Sequence, residues 1–472
     1  MNIAVVGSGY VGLVAGACFA ELGHNVELVD NDPIKYQALA NGQCPIHEAY
    51  LPELLAKHRG GRLSFSSTLA EPVHNSQAIF VAVGTPPAVN GEADLSYVEA
   101  VAREIASAVN DYKVVICKST VPVYTSDWVR KVLLLNGAPA NLFDVGSNPE
   151  FLREGTAVTD FLYPERIVIG TNTLGAANVL REIYKPMLDG SYYQRADAIP
   201  APPSAKVPPP LIATSTKSAE LIKYASNAFL AMKISFINAV ATVCESVGAD
   251  VDDVREGIGT DTRIGPRFLY PGIGYGGSCF PKDLSAYRAV ARECGYDFRL
   301  LEEVMRINEE QRHRFLRKVR GALWTIKGKR LGVLGLAFKG GTDDVRESPA
   351  ISIIESLLEE GAEVRAYDPA AIENAKQVLP QGAVTYAASA YDAIAGADAL
   401  LVLTEWEEFK ELDFARVRQL LRYPIVIDGR NLFDPQIMRE HGFIYLSIGR
   451  PDVVPSEEKL RARAAGAREN KP

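Results

Sequence analysis

Asn2-Ile-Ala-Val-Val6 runs directly into Gly7-Ser-Gly9-Tyr-Val-Gly12. A helical pattern follows from about Val11 to Leu22, with Gly23 placed to cap its end. Val26 to Val29 reads as a second strand, and it ends in Asp30. A lone G-x-G-x-x-G is weak evidence. This one closes a strand, opens a helix and is followed by an acid 18 residues past Gly12, which is the context of a dinucleotide loop. Gly7 allows the tight turn, Gly9 the approach of a pyrophosphate and Gly12 close helix–strand packing, while the helix N-terminus faces the anion. Val11 lies on the same loop. Asp30 is expected to accept hydrogen bonds from the adenosine ribose hydroxyls and to repel a 2′-phosphate, so NAD is read rather than NADP. The plainer alternative is a glycine turn in an α/β protein without a ligand.

Further strand–helix units follow. Gln77 to Val83 is a buried strand ending in Gly84-Thr-Pro-Pro87, and Lys113 to Lys118 is another, ending in Ser119-Thr120-Val-Pro122. Loops at the carboxyl ends of parallel strands line the ligand crevice, which makes Thr85 and Thr120 candidates for cofactor or substrate contact. Each hydroxyl could equally cap the next helix. Asp144 to Asn148 ends a further strand and runs into Pro149-Glu-Phe-Leu-Arg-Glu154-Gly155. Glu150 and Glu154 share a face if that turn is helical. Arg166 to Gly170 reads as a strand and Ala176 to Leu188 as a helix. Residues 195–213 are proline-rich and are read as a surface excursion with polyproline character.

Ser218 to Gly248 has helical periodicity, and a helix of that length suggests a spine between domains. Lys223 and Asn227 lie four residues apart on one face of it. A lysine there can stabilise a developing oxyanion and the amide can add a donor, although in isolation a solvated lysine and a packing amide is the plainer reading. Downstream stands Phe268-Leu-Tyr-Pro-Gly-Ile-Gly-Tyr-Gly-Gly-Ser-Cys279-Phe-Pro-Lys-Asp283. Glycines at this density let the backbone approach a ligand closely. A cysteine beside a cation such as Lys282 loses its proton more readily, and the thiolate is the nucleophile. A lone buried thiol is the bland alternative.

The last third restarts the pattern. Lys329 to Gly335 is a strand with a glycine, Pro349 to Glu360 a helix, Glu363 to Tyr367 a strand ending in Asp368, and Asp398–Thr404 and Ile425–Asp428 two more strands. This is a pseudo-repeat of the first half. Its loop, Gly335-Leu-Ala-Phe-Lys339, is degraded, which argues against dinucleotide binding there. After Pro455 the chain is charged and alanine-rich, and a frayed helix or disorder is expected.

Composition narrows the function classes. The chain has 472 residues, 47% hydrophobic and 23% charged, so two or three soluble globular domains are expected. A net charge of −8 without a basic block argues against nucleic-acid binding. Six cysteines without C-x-x-C spacing and six scattered histidines suggest neither a disulfide framework nor a metal site. No leader is apparent, no apolar run is expected to approach membrane-spanning length, and a reducing cytoplasm fits best.

Together these blocks resemble the UDP-glucose 6-dehydrogenase family of nucleotide-sugar dehydrogenases. The matching pieces are Gly7–Gly12, Val83-Gly-Thr-Pro-Pro87, Lys118-Ser-Thr-Val-Pro122, Asn148-Pro-Glu-Phe-Leu-Arg-Glu-Gly155, Ala219 to Leu230 and Gly276 to Asp283, in family order. The resemblance implies an α/β fold of two Rossmann-like doubly wound domains joined by a long central helix and a helical middle domain. The expected boundaries are 1–213 for NAD, 214–322 for the middle domain with the cysteine loop, 323–450 for the UDP-sugar and 451–472 for a charged tail. It implies oxidation of UDP-glucose to UDP-glucuronate with NAD. Such a reaction needs two hydride transfers and a water, and a thiolate serves it by holding the aldehyde as a thiohemiacetal and then a thioester. By resemblance Cys279 is the nucleophile, Lys223 and Asn227 stabilise oxyanions and Asp283 handles water or protons. Thr120 and Glu154 hold the water and touch the cofactor.

The same resemblance puts Lys35, Thr85, Lys282 and Arg346 on the cofactor side. It has Glu150, Phe151, Leu152, Arg153, Glu154, Phe268, Leu269, Tyr270, Pro271, Gly272 and Gly276 line the sugar and uridine, with Lys339 and Arg430 as further substrate contacts. Arg263 could reach the substrate, with a subunit interface as one route, and a dimer or higher homo-oligomer is implied. No metal is. Three departures stand out: the long proline-rich insertion, Ala239 in place of glutamate, and Lys339-Gly-Gly-Thr-Asp-Asp in the nucleotide half. Rival readings are the same chemistry on GDP-mannose or a UDP-N-acetylhexosamine, a one-step dehydrogenase of the 6-phosphogluconate type, and an NAD-binding regulatory protein without turnover.

Overall fold

The computed structural model describes residues 1–88 and 91–455. The tail expected beyond Pro455 lies outside them. The chain forms two compact units, Met1–Asn227 with Lys282–Asp297, and Ala228–Pro281 with the chain from Phe298 onward. The middle segment 214–322 is thereby divided between the two.

The first unit is built on eight strands: β1 (Asn2–Val6), β2 (Asn25–Val29), β3 (Leu63–Ser66), β4 (Ala78–Val81), β5 (Lys113–Cys117), β6 (Phe143–Ser147), β7 (Ile167–Thr171) and β8 (Leu211–Thr214). Their order is β3-β2-β1-β4-β5-β6-β7-β8. Only the β6–β7 pair is antiparallel. Strands β4 and β5 are buried at every position because helices cover both faces of the sheet. The alternation shows in β1, where Ile3 and Val5 enter one core and Ala4 and Val6 the other. The order reverses between β1 and β4, which opens a crevice at their carboxyl ends. The helix Tyr10–Glu21 leaves β1 through the glycine loop and is buried from Gly12 to Glu21.

The segment 148–155 is not helical. The four-residue spacing of Glu150 and Glu154 therefore does not put them on one helix face. Pro149 favours an extended residue before it, and the chain turns instead.

The proline-rich excursion is pinned to the first core. The Glu21 side chain, fully buried, meets His58 Nε2 at 2.7 Å, Lys57 Nζ at 2.8 Å and Arg195 at 3.0 Å. Arg195 also donates to the Glu21 carbonyl at 2.5 Å, so the loop's first residues close over the helix end. Burial raises the Glu21 carboxyl, but the hydrogen bonds from His58 and Lys57 outweigh it and hold it below the ordinary value. A depressed carboxyl stabilises the fold above its unfolded pKa, and that contribution is lost as pH falls through its folded value. Glu21→Gln is expected to cost about 3 kcal/mol at neutral pH and to flatten the acid limb of the stability curve. Chemical unfolding between neutral and acid pH measures both, and an unchanged acid limb contradicts the assignment.

The second unit carries β9 (Arg330–Leu334), β10 (Glu363–Tyr367), β11 (Val384–Tyr386), β12 (Ala399–Val402), β13 (Ile425–Asp428) and β14 (Ile444–Leu446). All its ladders are parallel, in the order β11-β10-β9-β12-β13-β14. This repeats the order β3-β2-β1-β4-β5-β6. Gly335 corresponds to Gly7, and the two share φ near +100° (+99° and +101°). Ala337 stands where Gly9 stands and is fully buried. The Asp368 carboxylate, at the end of β10, is occupied by Leu336 N–H at 2.7 Å, Ala337 N–H at 3.1 Å and Trp406 Nε1 at 3.1 Å. The degraded loop is filled by its own chain.

The helix Thr216–Val247 corrects one expectation. It is 32 residues long and contains an 18-residue window of mean hydropathy 1.4, long and apolar enough by length and composition to cross a membrane. It carries buried Glu220, Lys223, Asn227, Ser235 and Asn238, the polar pattern of a core helix.

Candidate active site

The glycine loop of the first unit is shaped for a dinucleotide. A Cβ on Gly12 would fall 1.8 Å from the Gly7 carbonyl oxygen, so only glycine packs there. A Cβ on Gly9 would meet nothing within 4 Å, so the backbone is open where a pyrophosphate approaches. Gly9 caps the helix Tyr10–Glu21 without a side-chain bond, which leaves the amides of the first turn to an anion. Asp30 stands at the end of β2 and accepts from Ser8 N–H at 2.7 Å, Ser8 Oγ at 2.5 Å and Asp32 N–H at 3.0 Å. Burial raises its carboxyl, but the Ser8 bonds outweigh it and hold it below the usual range, so the group stays ionised. Val11 is half-buried on this loop, and Lys35 is exposed, 3.9 Å from Asp32. These features fit NAD.

Five residues singled out in the sequence form one hydrogen-bonded run in the first unit. Asn227 Nδ2 donates to Asp283 Oδ2 at 2.6 Å, and Lys282 Nζ donates to Asp283 Oδ1 at 2.6 Å. Lys282 also reaches Thr85 Oγ1 at 3.4 Å, and Thr85 Oγ1 donates to the Thr120 carbonyl at 2.9 Å. Asp283 is 1% exposed, and these two donors hold its carboxylate in place. The rings of Tyr224 and Tyr287 lie 6.0 Å apart, packing the helix Thr216–Val247 on the helix Phe280–Glu293.

A second cluster lies beside it on the sequence. Lys223 Nζ meets Glu150 Oε1 at 2.7 Å, with both side chains 5% exposed. Glu150 Oε2 accepts from Leu152 N–H at 2.6 Å. Burial raises the Glu150 carboxyl, but the Lys223 charge outweighs it, aided by Lys118, and the group is held ionised. The Phe151 ring lies 5.6 Å from Lys223 Nζ and 3.7 Å from the Arg166 guanidinium. Arg153 forks on Asp160 at 2.6 and 3.0 Å. Gly155 N–H, next to half-buried Glu154, is held by Glu48 at 2.8 Å and by Tyr10 OH at 2.9 Å. Tyr10 and Glu48 were not singled out in the sequence. Only a tyrosine inside the glycine loop marked the place.

Cys279 belongs to the second unit, and the chain passes to the first between Pro281 and Lys282. Cys279 is half-buried, directly ahead of the helix Phe280–Glu293, whose N-terminus favours negative charge. Ser278 Oγ lies 3.7 Å from its sulfur. The preceding loop is laid against the second sheet. Ile273 N–H donates to the Gly429 carbonyl at 3.0 Å, Gly277 N–H to the Arg346 carbonyl at 3.0 Å, and Gly272 N–H to Asn238 Oδ1 at 2.9 Å. A Cβ on Gly276 would stand 2.1 Å from the Glu347 carbonyl oxygen, which is why the approach requires glycine. Arg430 reaches the same loop at the Gly274 carbonyl (3.4 Å) while also donating to the carbonyls of Phe338 (2.7 Å) and Leu403 (2.9 Å).

The remaining expected residues are spread out. Leu269 is 1% exposed and Pro271 buried, whereas Tyr270 is exposed beneath the Arg255 guanidinium. Phe268 is half-buried with φ +65°. Lys339 lies 5.8 Å from the Phe338 ring. Arg346 forks on Asp344, and Arg263, 87% exposed, forks on Asp261.

Known proteins match the chain along its length. Residues 1–188, 217–310 and 332–435 match the NAD binding, central and UDP binding domains of the UDP-glucose/GDP-mannose dehydrogenase family. The UDP-glucose 6-dehydrogenase TuaD of Bacillus subtilis (strain 168) is 46% identical over 457 residues, 97% of this chain and 95% of the relative. The UDP-glucose 6-dehydrogenase of Rhizobium meliloti (strain 1021) is 46% identical over 457 residues, 96% of this chain and 100% of the relative. The structure of a UDP-glucose dehydrogenase from the hyperthermophilic archaeon Pyrobaculum islandicum superposes with a TM-score of 0.85 at 37% identity, covering 95% of this chain and 98% of that one.

Proposed function

The chain belongs to the UDP-glucose/GDP-mannose dehydrogenase family, and from that premise we propose that it oxidises UDP-glucose to UDP-glucuronate in two NAD-dependent steps on Cys279. The observation that carries the chemistry is the run Asn227–Asp283–Lys282–Thr85, whose Lys282 and Asp283 lie in the first turn of the helix that follows Cys279.

Bound on the Gly7–Gly12 loop, NAD supplies the acceptor for each two-electron oxidation. The first oxidation turns the C6 alcohol into an aldehyde and releases a proton. The Cys279 thiolate then attacks the aldehyde carbon, forming a C–S bond and an alkoxide. Lys223, held as an ammonium by Glu150, stabilises that oxyanion, and Asn227 adds a neutral donor. The second oxidation leaves a thioester on Cys279. Water, positioned by Asp283, Thr120 and Glu154, adds to it; the C–S bond breaks, and the acid and the thiolate are released. One alcohol and one water thus give one carboxylate, two reduced cofactors and three protons. Without the cysteine the reaction would stop at the aldehyde.

For substrate binding, Glu150–Glu154, Phe268–Gly272 and Gly276 line the sugar and uridine, and Lys339 and Arg430 offer charge to the diphosphate. Lys35, Lys282 and Arg346 face the cofactor side. The chain divides functionally into an NAD part (1–213), a middle part (214–322) and a UDP part (323–450). Purified protein assayed with UDP-glucose, GDP-mannose and a UDP-N-acetylhexosamine tests the substrate. A kcat/KM highest for UDP-glucose is expected, and a preference for either other sugar moves the substrate while keeping the chemistry.

The enzyme is proposed to act in the cytoplasm as a homodimer. None of the six cysteines forms a disulfide among the described residues, which fits a reducing compartment. Phe229, Phe236, Val243 and Val247 are all more than half exposed along the helix Thr216–Val247, three of them at seven-residue spacing, an apolar stripe suited to a second copy. Light scattering reads the mass, and a monomer contradicts the dimer. Arg263 then projects toward the partner's site.

A further inference from the structure

A second buried lysine stands behind the Lys223–Glu150 pair, and the reaction outlined above does not use it. Lys118 is 4% exposed and directly follows β5. Its Nζ donates to Asn148 Oδ1 at 3.0 Å and lies 5.6 Å from the centre of the Phe161 ring. Asn148 is fully engaged. The Tyr184 hydroxyl donates to the same oxygen at 2.6 Å, and Asn148 Nδ2 donates to the Val168 carbonyl at 2.7 Å. The Asn148 N–H donates to the Cys117 carbonyl at 2.9 Å, which ties this turn to the end of β5. Asn148, Pro149 and Glu150 are consecutive, and Glu150 meets Lys223 at 2.7 Å. One unbroken chain of contacts therefore runs from Lys118 to Lys223.

Taking an ammonium out of water costs several kcal/mol unless its charge is used. Among the described residues Lys118 forms no ion pair of its own. The titratable groups around it are Glu150 on the turn after β6, Lys223 on the helix Thr216–Val247, Cys18 on the helix Tyr10–Glu21 and Tyr184 on the helix Leu174–Leu188. Burial is the largest influence and pushes Lys118 down to about 8; the Glu150 charge acts against that shift and the Lys223 charge with it.

We propose that Lys118 is a positioning residue for the reaction: through its hydrogen bond to Asn148 it fixes the turn that presents Glu150 to Lys223, so that Lys223 is held where the oxyanion forms. The proposal rests on the role given to Lys223 above. The sign with pH follows. Lys118 is charged below about pH 8 and loses its charge as pH rises through that value, so its charge-assisted hydrogen bond to Asn148 weakens, the turn that carries Glu150 loosens and the rate falls on the alkaline side.

The test is the pH profile of NADH formation from UDP-glucose by wild type and Lys118→Met, with thermal melting to confirm folding. The variant is expected to lose about tenfold in kcat, to keep its KM for NAD, and to lack the alkaline limb. A kcat and profile like those of wild type overturn the proposal. Should Lys118→Met not fold, Asn148→Asp keeps the lysine and gives it a carboxylate partner. The alkaline limb then moves to higher pH, and an unmoved limb overturns the proposal. Absence of wild-type turnover on UDP-glucose overturns the functional reading and this inference with it, whereas turnover with an unmoved profile overturns the role of Lys118 alone.

Discussion

Cys279→Ser is expected to lower net formation of the acid by at least roughly a thousandfold while leaving the melting temperature unchanged. The two side chains differ by one atom at a half-buried position, so packing is preserved. Reactivity is not. A serine hydroxyl is a far weaker nucleophile than a thiolate at neutral pH, and any oxygen ester it formed would hydrolyse more slowly than a thioester. The helix Phe280–Glu293 and the Lys282–Asp283 pair at its start remain in the variant, so loss of rate isolates the sulfur. UDP-glucuronate formed per unit time is the quantity to measure. Acid formation within tenfold of wild type would remove the cysteine from the mechanism.

The second large effect is at Lys223. Lys223→Met is expected to reduce kcat by roughly 10²–10³, the cost of removing one donor aimed at a developing oxyanion. The same change leaves Glu150 buried without its partner 2.7 Å away. Removing one member of a buried pair costs about 3–5 kcal/mol of stability, which by itself could lower activity. The double variant Lys223→Met with Glu150→Gln separates the two causes. Neutralising both partners is expected to recover most of the stability, because no uncompensated charge remains. It is expected to recover none of the rate. Recovery of rate together with stability would make Lys223 a structural residue only.

Much of this was legible in the chain. Gly7, Gly9 and Gly12 could be read with Asp30 because strand, loop, helix and acid are contiguous, and local spacing is what a sequence displays. The inner strands β1, β2, β4 and β5 were visible as short, mostly apolar runs, and β6 by its end at Asn148. The strands at the sheet edges were not: β3, β8, β11 and β14 have three or four residues each, too short for a run to stand out. The degraded loop after β9 was readable as such, but not the reason it is closed, which lies in the bonds from Leu336, Ala337 and Trp406 to Asp368.

The site residues divide in the same way. Lys223 and Asn227 were legible as one helix face. That Lys223 pairs with Glu150 and Asn227 with Asp283 was not, because those partners are 73 and 56 residues away along the chain. The density of glycine before Cys279 signalled close approach, whereas the surface approached, the Glu347 carbonyl, comes from residues later in the chain. Lys118 opens the stretch Lys118-Ser-Thr-Val-Pro122. A lysine at the end of a strand usually reads as a solvated charge, and only its burial against Asn148 shows otherwise.

Both oxidations are proposed to pass through one cysteine-bound intermediate. The most direct measurement is product stoichiometry, with limiting UDP-glucose, excess NAD and the NADH counted per sugar consumed. The account requires two NADH per sugar, with UDP-glucuronate as the product and no free aldehyde accumulating. One NADH per sugar, with an aldehyde or ketone as the product, would contradict it and leave Cys279 without a role in the chemistry.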